Sequence, residues 1–197
     1  PSPTTVRFPA SRKIYEHAHS FNNAMITLLV EEFNPLTQSF YNKIINNLQF
    51  HMLTCPCGHS GCLSVHGYYH RFIKSPCGKI RLRICRVKCE CCGHTHAILL
   101  SSMVPYSQVS TNDQISIINN YLNDLSQDSV MNDNPFIDES CFRYVIKNYL
   151  KYWHEKLLSE SIKFSSFHPF VRSCFSFFSY QFMQIKNTPN ILFLNTT

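Results

Sequence analysis

Residues 55–93 read CPCGHSGCLSVHGYYHRFIKSPCGKIRLRICRVKCECCG, and this stretch decides the fold. Cysteines cluster at both of its ends, and the segment between them alternates apolar with basic residues. Two close cysteine pairs that flank a pair of strands are typical of a zinc ribbon, in which one tetrahedral metal ion joins two tight turns. The stretch therefore predicts a small β module held by a metal ion.

The same region is strongly basic. Residues 33–89 contain eight Lys and Arg and no Asp or Glu, because the flanking acids are Glu32 and Glu90. The formal charge of the whole chain of 197 residues is only +6, so the rest of the chain is slightly acidic. A concentrated basic region is typical of a surface that contacts nucleic-acid phosphates.

Ten cysteines would also fit disulfides in a secreted protein. Residues 1–12 lack the apolar region of a secretion signal, and cysteines as close as Cys55-Pro-Cys57 favour metal ligation in a reducing compartment. The longest apolar run, residues 24–30, is too short to span a bilayer. We therefore expect a cytoplasmic protein outside the membrane.

The sequence identifies one pair of candidate metal ligands and leaves the members of the second pair undecided. Cys89 and Cys92 give C-x2-C followed by Gly93, whose freedom at positive φ lets the backbone turn under a metal. For the other pair, three thiols compete for two places. The candidate ligands of one structural Zn²⁺ are Cys55, Cys57, Cys62, Cys89 and Cys92.

The remaining cysteines and the nearby histidines have secondary roles in this interpretation. We expect Cys91, Cys77 and Cys85 to bind no metal, and Cys141 and Cys174 to be buried structural thiols. Any one of five histidines is an alternative fourth ligand: His59, which we favour among them, His66, His70, His94 and His96.

The β region is predicted to contain three strands. Residues 63–74 and 79–88 form a hairpin around the turn residues Ser75-Pro-Cys-Gly78, and residues 95–100 form a third strand. Apolar and basic residues alternate along 79–88, and the alternation reverses at Cys85-Arg86. We expect a β-bulge at that point.

Helices are predicted on both sides of the strands. Asn34-Pro35 indicates a helix start before an apolar face over residues 35–49, whereas residues 26–33 fit a strand or a helical turn. Ser110 begins a helix, residues 126–134 form a polar turn, and a long helix covers residues 138–158. Basic residues recur at every fourth position of that helix, which fits either a helix-turn-helix or a solvated helix face.

The predicted fold class is α+β, a small zinc-ribbon β module flanked by helical segments. Residues 1–53 form a helical lead-in and residues 54–106 the ribbon. Residues 107–163 form a helix-turn-helix-like region, and residues 164–197 form an aromatic tail packed on the core.

Three motifs give the chain a family resemblance: His66-Gly-Tyr-Tyr-His-Arg71, Arg86-Val-Lys-Cys89 and Gly93-His-Thr-His-Ala97. With them the chain resembles a family of small bacterial zinc-ribbon proteins, which is similar to the zinc ribbon at the front of insertion-element transposases. The resemblance covers residues 54–107 and continues loosely to a tail such as residues 181–186. It implies zinc held by Cys55, Cys57, Cys89 and Cys92, with the first pair one residue shorter than in the family, and it implies DNA binding linked to mobile elements.

The leading functional hypothesis is a DNA-binding accessory or regulatory protein without a catalytic domain. Duplex DNA is the expected partner, and a second copy of the chain or a transposition or regulatory protein is the expected protein partner. The candidate DNA-contacting residues are Tyr68, Tyr69, Arg71, Lys74, Lys79, Arg81, Arg83, Arg86, Lys88, Arg143, Lys147 and Lys151.

One other class of function fits the sequence, and a second does not. A zinc-stabilised protein-interaction module is the alternative, because an aromatic tail and a thiol-held ribbon also suit protein docking. An enzyme is not expected. A transposase needs three spaced carboxylates around two Mg²⁺, and the acids after the ribbon concentrate in residues 113–139 without a strand pattern to carry them.

Overall fold

The computed structural model describes residues 25–30, 35–178 and 181–184, and it confirms the α+β class. The strands are β1 (Met25–Leu28), β2 (Leu63–Ser75), β3 (Gly78–Cys89) and β4 (Thr95–Leu100). The helices are α1 (Gln38–Asn46), α2 (Thr111–Leu122), α3 (Gln127–Asp133), α4 (Glu139–Tyr152), α5 (His154–Ser159) and α6 (Phe167–Phe178), with a 3-10 turn at Phe50–Met52.

One sheet organises the first half of the described chain, in the order β1-β4-β3-β2. β2 and β3 pair antiparallel, β3 and β4 pair antiparallel, and β1 lies parallel to β4. The three strands predicted from the sequence are therefore confirmed. β1 lies in the segment expected to be a helical lead-in, and it decides the ambiguity of residues 26–33 in favour of a strand for Met25–Leu28.

The sheet contains a bulge, but the prediction placed it in the wrong strand. Val65 pairs with Val87 and Gly67 pairs with Arg86, so the extra residue is His66 in β2. β3 itself continues without an insertion. Its burial still changes face, because Ile84 and Cys85 are both buried. The reversed alternation in β3 indicated that the pairing of β2 with β3 is irregular near Arg86. The sequence of one strand does not show which of the two strands contains the extra residue.

Helix α1 fills the gap that opens where β3 and β4 stop pairing, beyond Arg86 and Ala97. The side-chain amide of Gln38 accepts from the Arg83 backbone N–H at 2.6 Å and donates to the Arg83 carbonyl at 3.3 Å. The buried Tyr41 hydroxyl accepts from the Cys85 N–H and donates to the Ile98 carbonyl, both at 2.9 Å. Side chains of α1 therefore satisfy backbone groups that β3 and β4 would otherwise have paired with each other.

The start of α1 differs from the prediction. Thr37 is the N-cap, and its hydroxyl accepts from the Phe40 N–H at 3.1 Å. Pro35 lies before the helix, and Asn34 lies outside the described residues. The sequence pattern predicted a helix start at Asn34-Pro35. The helix begins later, at Thr37, because the Thr37 hydroxyl satisfies a backbone N–H of the first turn.

The second half of the chain is helical, with one confirmed start and two corrections. Ser110 caps α2 as predicted, through its hydroxyl and the Asp113 N–H at 3.1 Å. The expected polar turn over residues 126–134 contains α3, capped by Ser126. The expected single helix over residues 138–158 is two helices, α4 and α5, which are separated at Trp153.

Aromatic packing explains the break at Trp153. The Trp153 ring is buried and meets the rings of Phe178 and Phe182 edge to face, with centroids 5.6 Å and 4.9 Å away. Phe182 also contacts Phe164 and Phe170. Residues 181–184 of the predicted tail therefore belong to the helical core, whereas residues 185–197 lie outside the described part of the chain.

Several apolar side chains of the helices are exposed. They are Leu150 in α4 and Tyr121, Leu122 and Leu125 around the end of α2. α2 buries Ile115, Ile117 and Ile118 instead of its last apolar residues. Apolar groups therefore remain at the surface on α4 and around the end of α2.

Three polar side chains join the sheet to the helices. The half-buried Arg71 guanidinium donates to the carbonyls of Val104 and Ser107. Lys74 forms an ion pair with Asp138, the N-cap of α4. The buried Gln181 amide donates to the carbonyls of Ser101 and Met103 and to the Thr111 hydroxyl, at the junction of the two cores.

In the parts of the chain that the structure describes, we find no helix with the length and apolar character that crossing a membrane requires.

We predict that Tyr41→Phe destabilises the protein by about 1–3 kcal/mol, because it leaves the buried Cys85 N–H and Ile98 carbonyl without a partner. Urea unfolding of the metal-loaded protein under reducing conditions measures the change. Tyr106→Phe is the matched control, since the Tyr106 side chain is 72% exposed. Equal unfolding midpoints for the two variants would contradict the role of the Tyr41 hydroxyl.

Candidate metal centre and basic surface

Four thiols come together at the open end of the β2–β3 hairpin, where β2 begins and β3 ends. The sulfur atoms of Cys55, Cys57, Cys89 and Cys92 all lie within 4.8 Å of one another. The Cys55–Cys92 and Cys57–Cys89 sulfur distances are both 3.8 Å. A tetrahedron with metal–sulfur bonds of about 2.3 Å has edges of about 3.8 Å. These four thiols therefore fit a tetrahedral metal ion, and the cluster could hold one.

The two turns that carry these thiols have the same backbone design. In the second turn the Cys89 N–H donates to the His94 carbonyl at 2.9 Å, and the Gly93 N–H donates to the Cys89 carbonyl at 2.8 Å. The first turn repeats both bonds one residue sooner, from Cys55 to the His59 carbonyl and from Gly58 to the Cys55 carbonyl, both at 2.8 Å.

Both turns also rely on a glycine at positive φ, Gly58 at 91° and Gly93 at 74°. The first turn is thus a shortened version of the second, and the shortening keeps both backbone bonds. C-x-C spacing still carries its second thiol, Cys57, to the cluster.

Cys62 lies beside the cluster rather than in the group of four. Its sulfur is 3.2 Å from that of Cys89, which is shorter than a tetrahedral edge. Cys62, Cys89 and the exposed Cys91 form a second group of thiols within 4.8 Å. The hairpin explains this position, since Leu63 pairs with Cys89 and the Cys62 carbonyl accepts from the Glu90 N–H. Geometry favours Cys57 over Cys62 as the second thiol of the first pair.

Two histidines contact the ligand thiols from outside. Nε2 of the buried His96 is 3.3 Å from the Cys55 sulfur, and Nδ1 of His59 is 3.4 Å from the Cys57 sulfur. Ring N–H groups at these distances stabilise a thiolate by hydrogen bonding. Sequence reasoning favoured His59 and gave His96 no special place. The signal for His96 was its position in β4, directly after the second cysteine turn.

Hydrogen bonding and burial shift the pKa values of different thiols in opposite directions. Burial of Cys89 raises its pKa, but the Cys92 backbone N–H and the thiols of Cys62 and Cys92 outweigh burial and lower it to about 5. The hydrogen bond to Cys89 raises the pKa of Cys62 to about 12. Burial raises the pKa of Cys55, whereas a hydrogen bond with the His59 backbone lowers that of Cys57. Metal binding must displace thiol protons, so metal affinity will increase with pH.

The other cysteines lie away from these groups. Cys77 is exposed in the hairpin turn, and Cys85 and Cys174 are buried. Cys141, expected to be buried, is half-buried with its sulfur 3.2 Å from the Lys74 ammonium. That contact replaces the apolar surroundings expected from the helix pattern.

The candidate DNA-contacting residues of the hairpin do not form one surface. β3 has no insertion, so Arg81 and Arg83 share one face while Arg86 and Lys88 share the other. Arg86 is half-buried and donates to the Thr95 hydroxyl at 2.7 Å. Lys79 is exposed near the hairpin turn.

Three other hairpin candidates are engaged in the structure. Arg71 holds the carbonyls after β4, as described above, and Tyr69 packs against the sheet core. The Lys74 side chain is only 13% exposed, and its hydrogen bond holds the pKa of Asp138 well below the usual range. Strand parity signalled this outcome for Tyr69 and Arg71, which alternate with exposed residues and share the inward face with the buried Ile73. Lys74 has the opposite parity, and its ion pair with Asp138 depends on a contact that the strand pattern does not show.

The exposed hairpin face combines aromatic and basic groups. Tyr68 and Arg83 are in contact, with the guanidinium carbon 4.0 Å from the ring centroid. Across the strands, Phe72 pairs with Arg81 and His70 pairs with Arg83. Sequence reasoning named Tyr68 but missed Phe72 and His70, although all three have the same strand parity. We call Tyr68, His70, Phe72, Arg81 and Arg83 the hairpin face.

A second basic surface lies on α4. Arg143, Lys147 and Lys151 are exposed as predicted, and exposed Tyr144 and Leu150 lie on the same side of the helix. Arg143 pairs with Glu139 at 2.5 Å, and both side chains are more than half exposed. An exposed ion pair of this kind is weak, so it leaves Arg143 free to exchange partners.

Comparison with known proteins adds one match. Residues 55–144 match a family model described as Domain of unknown function (DUF6431), which is less than half of the chain. No curated protein and no solved structure matches the chain. The matched segment begins at the first ligand cysteine and ends within α4. This chain is therefore similar to DUF6431 across the thiol cluster, the hairpin and the first helices after the sheet.

Proposed function

We propose that this protein is a zinc-dependent DNA-binding accessory or regulatory protein, related to the zinc ribbons of mobile-element transposases and without a catalytic domain. The observation that carries the proposal is the hairpin face, where exposed Arg81 and Arg83 lie beside Tyr68 on the strands that end at the thiol cluster.

Zinc is the metal that suits the cluster best. Four thiolates at tetrahedral separations are typical of zinc or an iron–sulfur centre, and two short turns with C-x-C and C-x2-C spacing are common in zinc ribbons. Four protein ligands close the coordination sphere, so the ion would be structural and would leave no position for a substrate. His59 and His96 would orient and stabilise the ligand thiolates.

The charge distribution favours a nucleic acid over a neutral partner. The region of the hairpin carries no acidic side chain between Glu32 and Glu90, so Arg81, Arg83 and Lys79 have no neighbouring carboxylate in sequence to neutralise them. Exposed guanidinium groups bind phosphate oxygens strongly, and a set of such contacts gives binding that weakens with salt.

Helix α4 offers a contact of a different kind. α2, α3 and α4 follow one another closely, and α2 packs against α4. The exposed side of α4 carries three basic residues with a tyrosine and a leucine, which suits a helix lying in a major groove. Arg143, Lys147 and Lys151 would contact phosphates, and Tyr144 would reach base edges.

Exposed apolar residues support a second candidate function. Tyr121, Leu122 and Leu125 lie close together in sequence at the end of α2 and are all exposed. Such a group would suit docking of a protein in a zinc-stabilised interaction module. Association that is insensitive to salt and lost in Leu122→Ser would favour this function over DNA binding.

Loss of a residue that only contacts a metal ligand weakens metal binding by roughly 10- to 100-fold. We predict that Cys57→Ser weakens zinc binding by more than this, because it removes a ligand. Cys62→Ser should retain one zinc ion with an affinity within that smaller range, and Cys77→Ser is the control at an exposed position. Competition with a chromophoric chelator measures each affinity. The reverse ranking of Cys57→Ser and Cys62→Ser would place Cys62 in the tetrahedron.

We predict that zinc-loaded protein binds random duplex DNA with a steep salt dependence between about 50 and 200 mM. Arg81→Gln/Arg83→Gln should make the slope of log K against log salt shallower by roughly 2, because each phosphate contact contributes about 0.9. Fluorescence anisotropy measures both slopes. Lys163→Gln/Arg172→Gln removes two exposed charges elsewhere and should leave the slope unchanged. Absence of binding at the lower salt would refute the proposal.

A further inference from the structure

The hairpin face contains aromatic side chains that phosphate binding alone does not explain. Tyr68 is 47% exposed and Phe72 is 44% exposed, and both lie on the strand face that carries the two arginines. Phe72 is directly opposite Arg81. The Arg83 guanidinium covers the Tyr68 ring, and Phe72 presents a second ring at the surface beside Arg81. This combination of flat and positively charged groups suits a ligand that is both flat and anionic.

The register of the strands sets these groups at regular intervals. Phe72 lies four positions after Tyr68 along β2, which is about 13 Å in an extended strand. Opposed side chains across antiparallel strands are about 4.5–5.5 Å apart at Cβ, so Arg81 and Arg83 lie within reach of the ring positions. The Arg83 guanidinium already lies over the Tyr68 ring at 4.0 Å, in the arrangement that a stacked planar cation adopts.

Resting on the proposed DNA binding, we infer that the hairpin face binds a single, unpaired nucleic-acid strand. Bases stack on Phe72 and on the Tyr68–Arg83 pair, and the phosphates of the same strand lie against Arg81 and Arg83. Aromatic platforms combined with a basic surface are the general means by which proteins bind single strands, because every base has a π face.

A duplex does not offer the same contacts. Its bases are stacked on one another and present only their edges in the grooves, so the rings of Tyr68 and Phe72 would find no base face to cover. Arg81 and Arg83 can contact the phosphates of a duplex or of an unpaired strand, whereas only an unpaired strand also offers base faces to Tyr68 and Phe72. Binding at the hairpin face is expected to tolerate changes of base sequence, since stacking does not read base edges.

The test uses the zinc-loaded full chain and three fluorescent probes: a short thymidine oligonucleotide, an abasic strand of the same length, and a duplex. The abasic strand keeps the phosphates and removes the bases. The variants are Tyr68→Ala, Phe72→Ala and the conservative Phe72→Trp, and Tyr106→Ala is the control at an exposed tyrosine outside the hairpin. Zinc content and the far-UV circular dichroism of each variant are checked first.

The inference predicts that the thymidine strand binds more tightly than the abasic strand. Phe72→Ala should weaken binding of the thymidine strand by about 5- to 150-fold, with little effect on the abasic strand or the duplex. Tyr68→Ala should act in the same direction, and Phe72→Trp should retain the wild-type affinity. Tyr106→Ala should change none of the three affinities.

Two results would overturn the inference, and only the second would also overturn the proposed function. Equal affinity for thymidine and abasic strands, unchanged in Phe72→Ala, would refute base stacking and would leave salt-dependent duplex binding intact. Failure of all three probes to bind at low salt would refute both the inference and the proposed function.

Discussion

The cluster of four thiols lies where a bound metal ion would constrain the whole sheet. Cys55 and Cys57 precede β2, whereas Cys89 ends β3 and Cys92 follows it, so a metal ion bound there would fix the open end of the hairpin. The opposite end closes on a two-residue turn between Ser75 and Gly78. Fixing both ends of two long strands determines their register, and the register decides which side chains share the exposed face.

The sheet also positions the helices, through a few buried polar contacts. Arg71 and Gln181 hold the carbonyls of the segment between β4 and α2, and Lys74 holds the N-cap of α4. Basic residues of the hairpin thus have separate roles, since Arg71 and Lys74 support the fold, whereas Arg81 and Arg83 remain available to a ligand. This division explains why only part of the basic region is exposed.

The three strands between residues 63 and 100, the cap at Ser110 and the thiol cluster were predictable, because each depends on local sequence: alternation, a capping side chain or close cysteine spacing. Long-range packing decided what the sequence did not reveal. The break at Trp153 depends on Phe178 and Phe182, which lie far along the chain. The choice between Cys57 and Cys62 depends on how the first turn folds against the second. Placement of the bulge at His66 depends on pairing between strands.

The proposed function couples metal binding to nucleic-acid binding through the sheet, and one measurement tests this coupling directly. Duplex binding at low salt is measured by anisotropy for zinc-loaded protein, for protein stripped by a chelator, and for stripped protein supplied again with zinc. We predict that binding is lost with the metal and restored with it, because a metal ion in the cluster would hold the register of the exposed arginines. Equal binding by the stripped protein, with the same salt dependence, would contradict this coupling.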